Sequence, residues 1–230
     1  FPYTTLFRST LGIDEPNVMA QKAVEKVKLG FDTLKIKVGT GIEADIARVK
    51  AIREAVGFDI KLRLDANQAW TPKDAVKAIQ ELADYQIELV EQPVKRRDLE
   101  GLKYVTSQVN TTIMADESCF DAQDALELVK KGTVDVINIK LMKCGGIHEA
   151  LKINQICETA GIECMIGCMA EETTIGITAA AHLAAAQKNI TRADLDATFG
   201  LETAPVIGGV SLEAKPLLEL GEAAGLGISH

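Results

Sequence analysis

The sequence predicts an α/β fold, a parallel β/α barrel of TIM type with an irregular C-terminal segment. Three observations predict it. Apolar or β-branched runs recur with starts about 24–29 residues apart, the length of one strand, one helix and two short loops. Helical patterns fill the intervals. Ionisable residues recur at the carboxyl ends of successive runs, the end at which a barrel builds its active face.

The elements follow in order. The first run, Thr10–Ile13, precedes a helical stretch, Glu15–Leu29, with Met19, Ala23, Val24 and Val27 on one face. Leu34–Val38 and Ile60–Ala66 are the second and third runs. Thr71-Pro72 offers an N-cap and a first-turn proline to the helix containing Ala75–Ala83. Ile87–Gln92 and Thr112–Asp116 come next, and Ala122–Val129 is again amphipathic. Val136–Leu141, Cys164–Gly167 and Ala193–Asp196 complete the eight. The most apolar stretch, Ile175–Ala186, contains His182 and reads as a buried helix. Eight strands alternating with helices imply parallel pairing and right-handed crossovers. No GxGxxG fingerprint follows the first strand, which argues against an open doubly wound sheet. Residues 1–9 read as a leader outside the fold, 10–200 as the catalytic barrel and 201–230 as a C-terminal segment. That segment breaks the period with Pro205, Gly208, Gly209 and Gly225 and is expected to hold one strand, Val210–Leu212, outside the barrel.

The chain has 230 residues, 47% of them hydrophobic, enough for one large domain. Its net charge of -8 makes nucleic acid and anionic membrane poor partners. No apolar run has the length of a membrane span, and no signal peptide is visible. The five cysteines, odd in number and without a CxxC pair, read as reduced thiols of a cytoplasmic protein.

Taken singly, a Lys-x-Lys at a strand end is surface charge, and Asp-Ala-Asn or Asp-Glu-Ser is a turn or cap. Together they make a pattern. Asp65, Glu91 and Asp116 end the third, fourth and fifth strands, so they are neighbours in a barrel. Three carboxylates that close repel unless a cation neutralises them, and hard oxygens with open positions suit Mg²⁺, one per active site. Lys37 and Lys140 lie on the second and sixth strands, opposite each other in a ring of eight. Lys35 shares a face with Lys37 and disfavours its charged form, which tunes it toward a usable base. The chemistry that follows is removal of a proton beside a carboxylate to give an enediolate, with return from the opposite face.

The motifs Lys35-Ile-Lys37, Asp65-Ala-Asn67, Glu91-Gln-Pro93, Asp116-Glu-Ser118 and Lys140-Leu-Met-Lys143-Cys-Gly-Gly146 resemble those of the enolase superfamily, in its muconate-lactonising subgroup. The resemblance runs from about Leu11 to Ile228. It implies Asp65, Glu91 and Asp116 as metal ligands, Lys37 and Lys140 as the acid/base pair, and a supporting or structural part for Lys143. The pair Asp194 and Asp196 resembles the one with which dipeptide epimerases hold an α-ammonium, unless Arg192 claims it. Cys168 and Met169, at the end of the seventh strand, are expected to meet substrate through backbone. The resemblance implies Mg²⁺-dependent epimerisation of a dipeptide, of the L-Ala-D/L-Glu type and at the α-carbon of the C-terminal residue, by a possible homo-oligomer. Two alternatives stay open. One is another reaction on the same scaffold, such as muconate cycloisomerase, o-succinylbenzoate synthase or N-acylamino acid racemase. The other is an inactive barrel, because the superfamily's N-terminal capping domain is expected to be missing.

Overall fold

A computed structural model describes residues 5–6, 8–170, 172–197, 206–210 and 217–229. Eight barrel strands run β1 (Arg8–Leu11), β2 (Thr33–Lys37), β3 (Lys61–Asp65), β4 (Ile87–Glu91), β5 (Thr112–Ala115), β6 (Val136–Lys140), β7 (Glu163–Gly167) and β8 (Ile190–Asp194). Between them lie α1 (Pro16–Lys28), α2 (Ile42–Val56), α3 (Pro72–Glu81), α4 (Leu99–Gln108), α5 (Ala122–Lys131), α6 (Ile147–Ala160) and α7 (Thr174–Ala186). The sequence signals act as expected: the Thr71 hydroxyl accepts the Asp74 N–H at 3.3 Å, and Pro72 opens α3. Arg8 and Ser9, expected in the leader, belong to β1.

The strands pair in parallel in chain order from β1 to β8. Side chains show that this sheet curls into a barrel. In a flat sheet β4 and β8 would stand about 19 Å apart. Here Arg192 Nε on β8 lies 3.6 Å from Glu88 Oε1 on β4, and Lys35 on β2 reaches Asp194 on β8 at 3.5 Å. Asp196, just past β8, accepts the Thr10 N–H at 3.2 Å and its hydroxyl at 2.9 Å, which joins the last strand to the first.

Among the described residues, two buried clusters result. The larger packs the helices onto the outer strand faces and includes Met19, Val49, Ile79, Leu102, Leu128, Ile153 and Ile177. The smaller, Leu89, Met114, Val136 and Met165, takes one residue from each of β4 to β7. Strand alternation places Glu91, Asp116, Lys140 and Gly167 on the same faces, two or four residues further on. The apolar plug is therefore the floor of whatever these charged residues build.

Outside the barrel, Thr5–Leu6 pairs antiparallel with Leu217–Leu218, and Ile207–Gly208 with Ile228–Ser229. Of the strand expected at Val210–Leu212, Ser211 and Leu212 lie outside the described residues. Val210 is buried, with its N–H bonded to the Thr178 hydroxyl of α7 at 3.0 Å. Among the described residues, no helix is long and apolar enough to cross a membrane.

Candidate active site

The carboxyl ends of the strands converge on a cavity of about 670 Å³, lined by Lys35, Lys37, Asp116, Lys140, Asp194 and Asp196 among others. Strand alternation sends Lys35 and Lys37 to the same side. Lys35, only 4% exposed, holds Asp65 Oδ2 and Glu91 Oε2 at 2.7 Å each. Lys37 reaches the same Asp65 oxygen at 2.7 Å and Asn67 Oδ1 at 2.6 Å. The two ammonium groups are thus neighbours across one carboxylate oxygen. On the far wall, Lys140 lies 2.7 Å from Asp116 Oδ2. Burial alone would lower the Lys140 pKa, but the Asp116 and Glu91 carboxylates outweigh it and raise it above the ordinary lysine value.

The loops that follow the strands are tightly specified. Asn67, Gln68 and Gln92 all adopt left-handed backbone, with φ of 41°, 69° and 37°. Such conformations persist in non-glycine residues only where the surroundings hold them. For Gln92 those surroundings are visible. Its Oε1 accepts the N–H groups of Asp116 and Ser118 at 3.0 Å each, while Nε2 donates to Val94 O at 3.0 Å and Ser118 Oγ at 2.8 Å. One buried amide therefore fixes the backbone that carries Asp116.

Asp194 and Asp196 stand on the cavity wall as alternation requires. Arg192 does not claim them; it pairs with Glu163 at 2.5 Å and Glu88 at 3.6 Å at the opposite end of the barrel. Cys168 and Met169 also line the cavity. The Cys168 thiol is pushed up to about 12, by burial first and then by Asp194 and Asp196, so it is protonated at neutral pH and no nucleophile.

Three further residues make contacts that the motifs do not specify. Lys143 Nζ lies 2.5 Å from Asp116 Oδ1, 2.5 Å from the Asp116 carbonyl and 3.0 Å from the Asn138 carbonyl. Asn138 Nδ2 donates to Glu91 Oε1 at 2.7 Å. Glu117 accepts from Asn67 at 3.1 Å, and burial, then Asp116, raise its pKa. Only alternation from Lys140 could have flagged Asn138.

The sequence pattern of the family described as enolase C-terminal domain-like matches residues 18–230. The chain belongs to that family. Within it, the chain is 99% identical over 221 residues to the hydrophobic dipeptide epimerase of Enterococcus faecalis, covering 96% of this chain and 62% of that protein. It is 51% identical over 222 residues to the L-Ala-D/L-Glu epimerase of Bacillus subtilis, covering 95% of this chain and 60% of that one. The crystal structure of the dipeptide epimerase from Enterococcus faecalis, complexed with Mg and L-Leu-L-Tyr, superposes with a TM-score of 0.97 at 96% identity, over 100% of this chain and 65% of that one. The chain thus spans less than two thirds of each of these relatives.

The donor set of this enolase-type barrel can be judged on its own chemistry. Among the described residues, no three His, Cys, Asp or Glu side chains are gathered closely enough to hold a metal ion as they stand. The inward oxygens are instead held by lysines at 2.7 Å. The donors still fit a hard divalent cation: they are carboxylate oxygens at the carboxyl ends of three consecutive strands, and their surroundings already attract positive charge. Asp65, Glu91 and Asp116 are joined there by Glu117, Asp194 and Asp196, facing Lys35, Lys37, Lys140 and Lys143.

Proposed function

We propose that this barrel is the catalytic part of a dipeptide epimerase, moving the α-proton of the C-terminal residue between two faces. The observation that carries the reading is the placement of Lys37 and Lys140 on strands two and six, each bonded to a different member of the carboxylate trio. Lys37 takes the proton from one face, and Lys140 delivers one to the other. Lys35, which shares an Asp65 oxygen with Lys37, holds a second positive charge beside that base. Asp65, Glu91 and Asp116 would hold one Mg²⁺ per site, and that ion supplies the positive charge that stabilises the enediolate.

Asp194 and Asp196 receive the substrate's α-ammonium, which separates a dipeptide from N-acylated or muconate-type substrates that lack one. Apolar side chains are favoured on the dipeptide, because Phe120, Met142 and Met169 present exposed apolar surface at the cavity. The relative named for hydrophobic dipeptides supports the same preference. The five free thiols fit a reducing, cytoplasmic setting.

The test is proton exchange in deuterated water with Mg²⁺ and a panel of dipeptides, followed by NMR. Loss of the α-proton signal with both epimers formed is the expected result. Lys140→Ala should abolish epimerisation while exchange persists for one stereoisomer. Equal exchange of both stereoisomers in that variant would overturn the two-lysine assignment, and no exchange with any dipeptide would overturn the reading.

A further inference from the structure

Each carboxylate of the trio has its two oxygens put to different uses. Asp65 Oδ1 accepts the Asn67 backbone N–H at 3.1 Å, while Oδ2 faces Lys35 and Lys37 at 2.7 Å. Glu91 Oε1 accepts Asn138 Nδ2 at 2.7 Å, while Oε2 faces Lys35 at 2.7 Å. Asp116 Oδ1 is held by Lys143 at 2.5 Å, while Oδ2 faces Lys140 at 2.7 Å. In every case one oxygen is tied to the scaffold and the other is turned to the cationic centre.

The ties are built in. The Lys143 side chain is 5% exposed and is also bound to two backbone carbonyls. Asn138 is fully buried, and it fits because residue 167 is glycine: a Cβ there would come within 2.6 Å of Asn138 Oδ1.

We infer that Asn138 and Lys143 are positioning residues that confine Glu91 and Asp116 to one-oxygen coordination, so that the site selects a small octahedral dication over Ca²⁺. This rests on the metal reading of the preceding subsection. Mg²⁺ demands near-ideal octahedral geometry at about 2.0–2.1 Å and is served by single oxygens. Ca²⁺ prefers about six to eight oxygens at longer range, and gains from carboxylates that give both. A carboxylate with one oxygen tied to a buried donor cannot turn to give both, so the ties penalise the larger ion selectively.

The experiment is calorimetric titration of the full chain with Mg²⁺ and with Ca²⁺, without substrate, alongside Lys143→Met and Asn138→Leu. Both replacements roughly keep side-chain volume. The readout is the ratio of the Ca²⁺ to the Mg²⁺ dissociation constant. A lost positive charge acts alike on two dications, and general loosening weakens both, so neither moves the ratio. Release of Asp116 Oδ1 or Glu91 Oε1 should lower it about tenfold in each variant. Circular dichroism establishes that each variant folds, and either one alone suffices for the test. An unchanged ratio in a folded variant overturns the inference while leaving the metal reading intact. A parent chain that binds neither ion overturns the metal reading and this inference with it.

Discussion

Gln92 carries more of the site than its neutral side chain suggests. It is fully buried, its backbone is left-handed, and its amide meets four partners across two loops. Replacing it with leucine leaves the N–H groups of Asp116 and Ser118 buried without acceptors. Each such group costs about 1–3 kcal/mol, so Gln92→Leu should destabilise by about 3 kcal/mol, read from the urea midpoint at constant slope. Gln92→Glu keeps acceptor oxygens for those N–H groups and should recover part of the loss. The same residue shows what a sequence hides. The Glu-Gln-Pro motif marks a strand end carrying a carboxylate, but nothing local says that the middle amide reaches 26 positions onward to Ser118. The contacts of Lys143 and Asn138 escape for a similar reason. Their parts depend on which carboxylate oxygen each side chain meets.

At the scale of elements, more was legible. Strand spacing, the Thr71-Pro72 helix start and the alternation of Lys35 with Lys37 are local and periodic, and the structure reproduces them. The loop after β2 was not legible, because its anchor comes from the following helix. Asp45 of α2, 1% exposed, accepts Gly39 N–H at 2.8 Å, Thr40 N–H at 3.3 Å, Trp70 Nε1 at 3.1 Å and Arg48 Nη1 at 3.0 Å. One carboxylate thus pins the loop beyond Lys37 to the loop beyond Asp65. The approach is close enough that a Cβ on Gly39 would lie 2.5 Å from the Ala69 Cβ. Asp45→Ala strands the buried donors and should cost about 3–5 kcal/mol in chemical denaturation. Proton exchange at substrate should fall along with it, because Lys37 stands two residues before the freed loop. A loss of stability with normal exchange would mean that the loop does not position Lys37.

Across the whole molecule, polar layers close both ends of the barrel around the apolar plug of Leu89, Met114, Val136 and Met165. The carboxyl end carries the proposed chemistry. The amino end carries a separate ion network: Arg63 Nε donates to Glu88 Oε2 at 2.6 Å, and Arg192 bridges Glu88 and Glu163. This network ties β3 and β4 to β7 and β8 across the barrel. A sequence alone did not reveal it, because the four residues come from four distant runs. Burial acts to raise the Glu88 pKa, yet its bonds to Arg63 outweigh that and leave it below the ordinary value of 4.5. A carboxylate depressed by folding contributes stability that is fully present above its unfolded pKa and is lost as pH falls through its folded one. The chain should therefore lose stability as pH drops below about 4.5, and Glu88→Gln should lose least there. Denaturation midpoints measured at neutral pH and down the acid limb should show the parent ahead of Glu88→Gln at neutrality and the gap closing with acidification. A gap that stays constant with pH would assign the contribution of Glu88 to packing and not to its charge.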